Sequence, residues 1–217
     1  MVIAWLIVYG TLFYMLKDIY LIVGLSIYCV ALVRYLYTTH RFENYGLCKT
    51  NQSSCYFIIM GIPFVLLIIW NFYTNYNFVI HRTHIYDIII MFFCVFLEEV
   101  FFRGFFFGKF DVKKYVMISS VLFAVLHLVN IFAGADIRYT CIQVLCAFCS
   151  GISLAILRLL CGSILPGIVY HFFINITSSG QNNMSIEHLS ITVILFLFCM
   201  VYMIIIYNKL TKEKMNL

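Results

Sequence analysis

Apolar runs long enough to cross a lipid bilayer follow one another along almost the whole of this 217-residue chain. A transmembrane helix needs about 20 predominantly apolar residues. Hydrophobic residues make up 64 % of the sequence and charged residues 11 %, whereas a soluble domain has about 45–50 % apolar and about 25 % charged residues. The sequence therefore predicts an all-α, multi-pass transmembrane bundle that forms a single integral membrane domain over residues 1–217, without a separate soluble domain.

The apolar runs predict seven or eight spans, of which the first is short and ends in a tight turn at Lys17–Asp18. The longest polar stretch between spans covers residues 38–55. No internal repeat or low-complexity linker interrupts the pattern. Counted from hydropathy, the spans cover residues 2–16, 19–37, 56–74, 85–107, 115–133, 139–160, 163–178 and 188–208.

Lysine and arginine residues predict the orientation, because the cytoplasmic loops of membrane proteins carry an excess of them. When the Lys-rich C-terminal tail is placed in the cytoplasm, ten basic residues fall inside and three fall outside. The inside group is Arg34, Arg41, Lys49, Lys109, Lys113, Lys114, Arg158, Lys209, Lys212 and Lys214, and the outside group is Lys17, Arg82 and Arg138. The net charge of +5 is therefore a topology signal. We expect a cell-membrane protein with a cytoplasmic C-terminus and no nucleic-acid partner.

The heptapeptide EEVFFRG, residues 98–104, places three ionisable side chains inside the fourth predicted span. A charged residue at the bilayer centre costs at least about 2.5–3.5 kcal/mol, and such residues mark functional sites by default. Glu99 can pair with Arg103 four residues on, or it can orient a histidine. A structural ion pair between helices needs only one carboxylate for one arginine, so a structural role does not account for Glu98 as well. The heptapeptide therefore predicts a functional site.

Two histidines are predicted to reach a similar depth from two other spans. Because a helix rises about 1.5 Å per residue, Glu98 lies about 14 Å from the cytoplasmic end of its span, His127 about 18 Å and His171 about 12 Å. Asn175 follows His171 by one turn and shares its helix face, as His127 does with Phe123. We therefore expect three helices to bring Glu98, His127 and His171 together within the membrane.

These side chains suit the hydrolysis of a peptide bond, which needs an activated nucleophile and stabilisation of the oxyanion. Glu98 can act as the general base on a water molecule, with His127 as its partner and proton carrier. His171 and Asn175 can donate hydrogen bonds to the oxyanion. The residue types therefore favour an intramembrane peptidase.

Three motifs in this region resemble those of the CAAX protease and bacteriocin-processing family of intramembrane glutamic endopeptidases. EExxxR reads EEVFFR from Glu98, FxxxH reads FAVLH and ends at His127, and HxxxN reads HFFIN from His171. The motifs occur in order on separate predicted spans, and the resemblance covers residues 85–178, the expected catalytic core. It implies catalytic roles for Glu98, His127, His171 and Asn175 and supporting roles for Glu99, Arg103 and Phe123.

The resemblance also implies a class of substrate. Relatives remove C-terminal tripeptides from prenylated proteins or, in bacteria, are associated with the maturation of peptide pheromones and bacteriocins and with self-immunity. We therefore expect a peptide or lipidated protein precursor as the substrate, and membrane lipid as the surroundings. Because Glu98 and His171 lie in the predicted cytoplasmic half of the membrane, we expect the substrate to enter from the cytoplasm.

Several other interpretations of these residues remain open. Glu98, His127 and His171 could hold a zinc ion, since three such ligands and a water form a catalytic zinc site. The chain has no HExxH segment, which is the common helical zinc motif, and we expect no cofactor. The charged residues could also form a proton or ion relay in a transporter. A non-catalytic immunity or membrane scaffold protein is the main alternative to an enzyme.

Two further classes of intramembrane protease are disfavoured by the positions of the required residues. An aspartyl enzyme would need two buried aspartates, but Asp87 and Asp136 lie at the outer ends of spans. A serine enzyme would need a histidine beside its nucleophile, and Ser150 lacks that setting. Cys146 and Cys149 form a CxxC within an apolar span, where we expect them to pack as small apolar residues.

Overall fold

The structure is a computed structural model that describes residues 18–50, 54–82, 84–132, 134–178 and 185–215. Within these residues the protein is all-helical, as predicted. The helices are α1 (Asp18–Thr38), α2 (Ser54–Arg82), α3 (Ile85–Glu99), α4 (Val112–Leu126), α5 (Val129–Phe132), α6 (Ile137–Cys161), α7 (Leu165–Ser178) and α8 (Ile186–Met215), and a π-helical segment (Val100–Phe105) continues α3.

The predicted spans from the second to the eighth all lie in helical regions, whereas the first, residues 2–16, lies outside the described residues. Among the described residues, four stretches are long and apolar enough to cross a membrane, which agrees with a multi-pass protein. These stretches are Ile58–Asn77, Val112–Phe132, Ile137–Cys161 and Ile186–Lys212. Helices α3 and α7, with 15 and 14 residues, are shorter than a full span.

Helix α6 forms the centre of the bundle and packs against α4, α7 and α8. Of the most apolar stretch of α6, 78 % is buried inside the bundle, compared with 22 % of the corresponding stretch of α8. Small residues let α6 approach its neighbours closely, as in other membrane bundles. At Gly151 an added Cβ would lie 3.0 Å from the Cα atom of Ser120 on α4. This contact fixes α4, and therefore its C-terminal end, against α6.

Helix α7 is held on its other side by α2. The Tyr170 ring stacks on Phe64 of α2 with centroids 4.9 Å apart and an interplanar angle of 12°. Gly61, one turn before Phe64, leaves room for the Tyr170 hydroxyl, with which any Cβ would collide. Because Tyr170 immediately precedes His171, this packing also fixes the position of the histidine.

Helix α2 is longer than its hydropathy predicts. The predicted span ends at residue 74, but α2 continues to Arg82 across a kink at Asn75, whose φ of −113° and ψ of 16° are not helical. The Asn75 side-chain amide donates to the carbonyl of Asn71 at 3.0 Å. The kink thus lies where polar side chains compete for backbone groups.

Aspartate side chains cap two helices of the core. The Asp111 carboxylate accepts a hydrogen bond from the backbone amide of Lys114 at 3.0 Å at the start of α4. This bond and the Lys114 ammonium lower the pKa of Asp111. Asp136 accepts from the amide of Arg138 at 2.8 Å at the start of α6. These caps satisfy amides that have no partner within the helix.

The structure departs from the predicted spans at two points beside the candidate site. The predicted span 115–133 is not one helix, because α4 ends at Leu126 and α5 begins at Val129 after a turn. The predicted span 85–107 changes from α-helix to π-helix immediately after Glu99. Short π segments inside α-helices are frequent at functional sites. Both irregularities fall on the motifs selected from the sequence.

Candidate active site

The three sequence motifs come together at one buried cluster. Glu98 and Glu99 lie on the last turn of α3, and His171 lies in the middle of α7. The two carboxylates are 7 % and 0 % exposed, Arg103 is 0 % exposed and His171 is 3 % exposed. His127 is half-buried at the C-terminal cap of α4.

Glu99 contacts both a cation and a histidine with the same carboxylate oxygen. Arg103 Nη1 lies 3.0 Å from Glu99 Oε1, and the two residues are four positions apart in the chain. His171 Nδ1 lies 2.9 Å from the same oxygen, which makes the ring nitrogen the donor to the carboxylate. Glu99 thus pairs with Arg103 and also orients a histidine, the two roles that the sequence allowed for it.

Gly167 makes room for the second oxygen of Glu99. A Cβ at this position on α7 would lie 3.0 Å from Glu99 Oε2. Gly167 also precedes His171 by four residues, so it lies on the same face of α7. The close approach of the carboxylate therefore favours glycine at this position, and sequence reasoning did not identify this glycine.

The aromatic ring of Phe123 lies at the meeting point of the three motifs. The Arg103 guanidinium carbon stands 4.4 Å from the centroid of this ring, within the range of a cation–π contact. The ring also meets His127 and His171 edge to face, with centroids 5.0 Å and 5.3 Å away. Phe123 is thus the packing surface against which the Arg103 cation and both imidazoles are positioned.

His171 lies between the two carboxylates. Its Nδ1 donates to Glu99, while its Nε2 is 3.1 Å from Asn175 Nδ2 and 3.6 Å from Glu98 Oε2. The Nε2–Glu98 separation is longer than a hydrogen bond. When Nδ1 carries the only ring proton, Nε2 accepts a hydrogen bond from the Asn175 amide.

His127 turns its ring back onto its own helix. Its Nδ1 lies 3.0 Å from the carbonyl oxygen of Phe123, so this nitrogen is the donor. The break between α4 and α5 follows directly and places the ring at the end of α4 instead of in mid-helix. The hydrogen bond leaves Nε2 as the nitrogen that can accept a proton.

A cavity of about 330 Å³ reaches the imidazoles from one end of the bundle. Its inner wall includes Phe123, His127, His171 and Asn175, and one face of α6 lines it along its length. Near the surface it is lined by Asn130, Tyr139, Gln143, Ser178 and Leu189. Within the described part of the chain, its lining does not include Glu98 or Glu99. Glu99 thus lies on the Nδ1 side of the His171 ring, away from the cavity, whereas Glu98 approaches the ring from the Nε2 side.

The surface end of the cavity is formed by α5, the first turns of α6 and the end of α7. The basic turn between the π segment and α4 lies at the opposite end of α4. In the orientation predicted from the charges, the cavity therefore opens on the outer side. This is the reverse of the cytoplasmic entry that the depth of Glu98 and His171 favoured, because depth alone does not determine which end of a cavity is open.

The residues weighed for other chemistries have structural explanations. Asp87 accepts from the His84 amide at 2.9 Å at the start of α3, and Asp136 caps α6. Cys146 and Cys149 are free thiols within α6, and Cys146 lines the cavity. No group of three or more His, Cys, Asp or Glu side chains in the described ranges is close enough to hold a metal ion.

The comparisons with known proteins agree with the motifs. A family model described as "Rce1-like: Type II CAAX prenyl endopeptidase Rce1-like" matches residues 82–177. The matched range contains all three motifs and α3 to α6 with nearly all of α7. Comparison with curated proteins and with solved structures gave no match. The family match confirms the resemblance inferred from the motifs.

Proposed function

We propose that the protein hydrolyses a peptide bond in a membrane-associated peptide or protein precursor, because residues 82–177 match the model of the Rce1-like family of type II CAAX prenyl endopeptidases. The family implies protease activity and a peptide or protein substrate in a membrane environment. The main structural support for this proposal is that Glu99, His171 and Asn175 lie in contact beside a cavity within an apolar bundle. A carboxylate, imidazoles and an amide are sufficient for hydrolysis by water.

Glu98 is the general base in this proposal, with His127 as its partner. Glu98 removes a proton from a water molecule, and the resulting hydroxide attacks the carbonyl carbon. Glu98 passes this proton to Nε2 of His127, whose Nδ1 is bound to the Phe123 carbonyl. His127 then delivers the same proton to the leaving amine, which leaves both side chains as they began. The position of Glu98 Oε2 at 3.6 Å from His171 Nε2 supports the assignment, because it brings the carboxylate next to the imidazole and amide that bind the substrate carbonyl in this proposal.

His171 and Asn175 stabilise the oxyanion. When both ring nitrogens of His171 carry protons, its Nε2 donates to the oxyanion and no longer accepts from Asn175. The Asn175 amide can then donate to the same oxyanion. Glu99 and Arg103 hold His171 in position from behind. Donors that are already oriented in a site of low dielectric contribute most to catalysis, and one such donor is worth about 2.7–4 kcal/mol.

The substrate is a short peptide segment, because a cavity of about 330 Å³ is at the lower end of the range for small ligands. A peptide pheromone or bacteriocin precursor and a CAAX-type lipidated protein both present such a segment. We place the protein in the cell membrane with its C-terminus in the cytoplasm, as the basic residues predict.

The mechanism uses no metal ion. Hydrolysis should therefore be unchanged, within about twofold, after treatment with a chelator, because no step depends on Lewis-acid activation of water. Purified protein in liposomes would be treated with a membrane-permeant chelator and assayed with a farnesylated peptide that ends in a CAAX box. Loss of hydrolysis that added zinc restores would replace this mechanism with a metal-dependent one.

Glu98→Gln and His127→Ala test the function against the non-catalytic alternative. Each should abolish processing of the peptide while the amount of protein in the membrane stays the same. Glu43→Gln and His40→Asn are matched controls, since both residues are exposed on the turn after α1 and asparagine tolerates the positive φ of His40. If Glu98→Gln and His127→Ala keep the full biological effect, the protein acts by binding and not by hydrolysis.

A further inference from the structure

Two amide side chains at the surface end of the cavity have no part in the mechanism above. Asn130 lies on the short helix α5, and Gln143 lies in the second turn of α6. Asn130 Nδ2 donates to Gln143 Oε1 at 2.8 Å, and both residues line the cavity. Asn130 follows His127 by three residues across the break in the helix. The amide pair and His127 therefore lie at the same end of the cavity.

The hydrogen bond between the two amides leaves a complementary donor and acceptor. It uses one N–H of Asn130 and the carbonyl oxygen of Gln143. Asn130 Oδ1 and Gln143 Nε2 make no further hydrogen bond with the described residues. One acceptor and one donor on a hydrogen-bonded pair of side chains match the N–H and the C=O of a peptide backbone.

The face of α6 that lines the cavity indicates the direction in which a bound peptide would run. Its residues Gln143, Cys146, Ala147, Ser150 and Leu154 follow the spacing of one helix face and form one stripe along the cavity. This stripe extends over about 16 Å at 1.5 Å per residue. An extended peptide covers this length with about five residues, at about 3.3 Å per residue. A segment bound at Gln143 therefore reaches into the interior of the bundle.

We propose that Asn130 and Gln143 bind the backbone of the substrate peptide at the mouth of the cavity and position the adjoining peptide bond beside His171 and Asn175. The proposal rests on the function proposed above. Asn130 Oδ1 accepts from a backbone N–H of the peptide, and Gln143 Nε2 donates to a backbone carbonyl. Because both contacts are with the main chain, the pair selects an extended peptide without selecting particular side chains.

Leucine substitutions test these contacts. Asn130→Leu and Gln143→Leu should each raise the KM for a farnesylated CAAX peptide about threefold to tenfold, because each removes a hydrogen bond of ordinary strength. The kcat should change by less than about twofold, because the pair makes the same contacts before and during the reaction. Asn208→Leu is the matched control, since Asn208 is an exposed amide on α8 that does not line the cavity.

A set of peptides, each methylated on one backbone nitrogen, separates binding from a structural effect. The unmodified protein should bind one member of the set poorly, and Asn130→Leu should bind that member and the parent peptide equally. Binding is read as protection of the Cys146 thiol from a maleimide, so the experiment remains informative even when the peptide is not hydrolysed. An unchanged KM with lowered kcat, or equal sensitivity to methylation in protein and variant, would overturn the proposal. Failure of the protein to hydrolyse any peptide would contradict the proposed function, while the binding result would still decide the role of the pair.

Discussion

The two sides of His171 face different surroundings. On the Nδ1 side, Glu99 and Arg103 form a closed ion pair that is 0 % exposed. On the Nε2 side, Asn175 and His127 line a cavity that reaches the surface. A closed charged cluster can fix a ring in place but has no access to a substrate, whereas the open side has access but fewer fixed contacts. The comparison indicates that the charges behind His171 determine its orientation, and the cavity determines what it meets.

The largest effect on stability and hydrolysis is expected when the ion pair on the Nδ1 side of His171 is removed. Glu99→Gln removes the charge opposite Arg103 and leaves a buried cation without compensation, which costs about 3–5 kcal/mol of stability. The protein should lose thermal stability, measured in detergent, and also lose hydrolysis. Glu187→Gln is the matched control, because Glu187 is exposed in the first turn of α8.

A second substitution separates these two losses. Arg103→Met in the Glu99→Gln background removes the unpaired cation, and replacing a buried ion pair by apolar groups is often neutral for stability. The double variant should therefore regain most of its stability but remain inactive, because His171 has lost the carboxylate that orients it. Recovery of activity together with stability would show that Glu99 serves the fold alone.

Gly167→Ala tests the same side with a smaller disturbance. The new methyl group would lie 3.0 Å from Glu99 Oε2, and overpacking of this kind costs about 1–3 kcal/mol. We expect hydrolysis to fall about tenfold, since 1.4 kcal/mol corresponds to a factor of ten. Gly24→Ala on α1 is the control, because nothing lies within 4 Å of its added Cβ. Equal activity of the two variants would contradict the close approach of Gly167 to Glu99.

The open side can be examined with the natural cysteines of α6. Cys146 lines the cavity and is 8 % exposed, whereas Cys149, one turn further along, does not line it and is 1 % exposed. A small maleimide should modify Cys146 about tenfold faster than Cys149, because modification depends on access to the thiol. The modified peptides would be quantified by mass spectrometry. Equal rates for the two thiols would contradict an open cavity on this side of His171.

Much of the fold follows from hydropathy, because each apolar run can satisfy its backbone only as a helix within a membrane. The irregular points beside the site do not. The chain breaks at His127–Leu128 without a glycine or proline, since the break depends on tertiary packing and on the bond from His127 to its own helix. The π segment after Glu99 likewise has no local sequence signal.

The candidate site, too, can be predicted from the sequence only in part. The spacing of Glu99 and Arg103 predicts their ion pair, because residues four apart on a helix are neighbours. The hydrogen bond from His171 to Glu99 joins residues 72 positions apart, so spacing alone leaves open which carboxylate meets the ring. The role of Gly167 likewise depends on a contact between residues that are far apart in the chain. Its small size has a purpose only once α7 lies against α3.

The most direct test of the account is the rate at which the Glu98→Gln protein hydrolyses a farnesylated CAAX peptide in liposomes, measured together with protection of Cys146 by that peptide. The rate should fall at least about 100-fold, since general-base catalysis contributes about 10²–10⁴-fold. Protection of Cys146 should be unchanged, because Glu98 lies outside the cavity lining of the described chain. A rate within about threefold of the unmodified protein, with the peptide still bound, would contradict the assignment of Glu98 as the base.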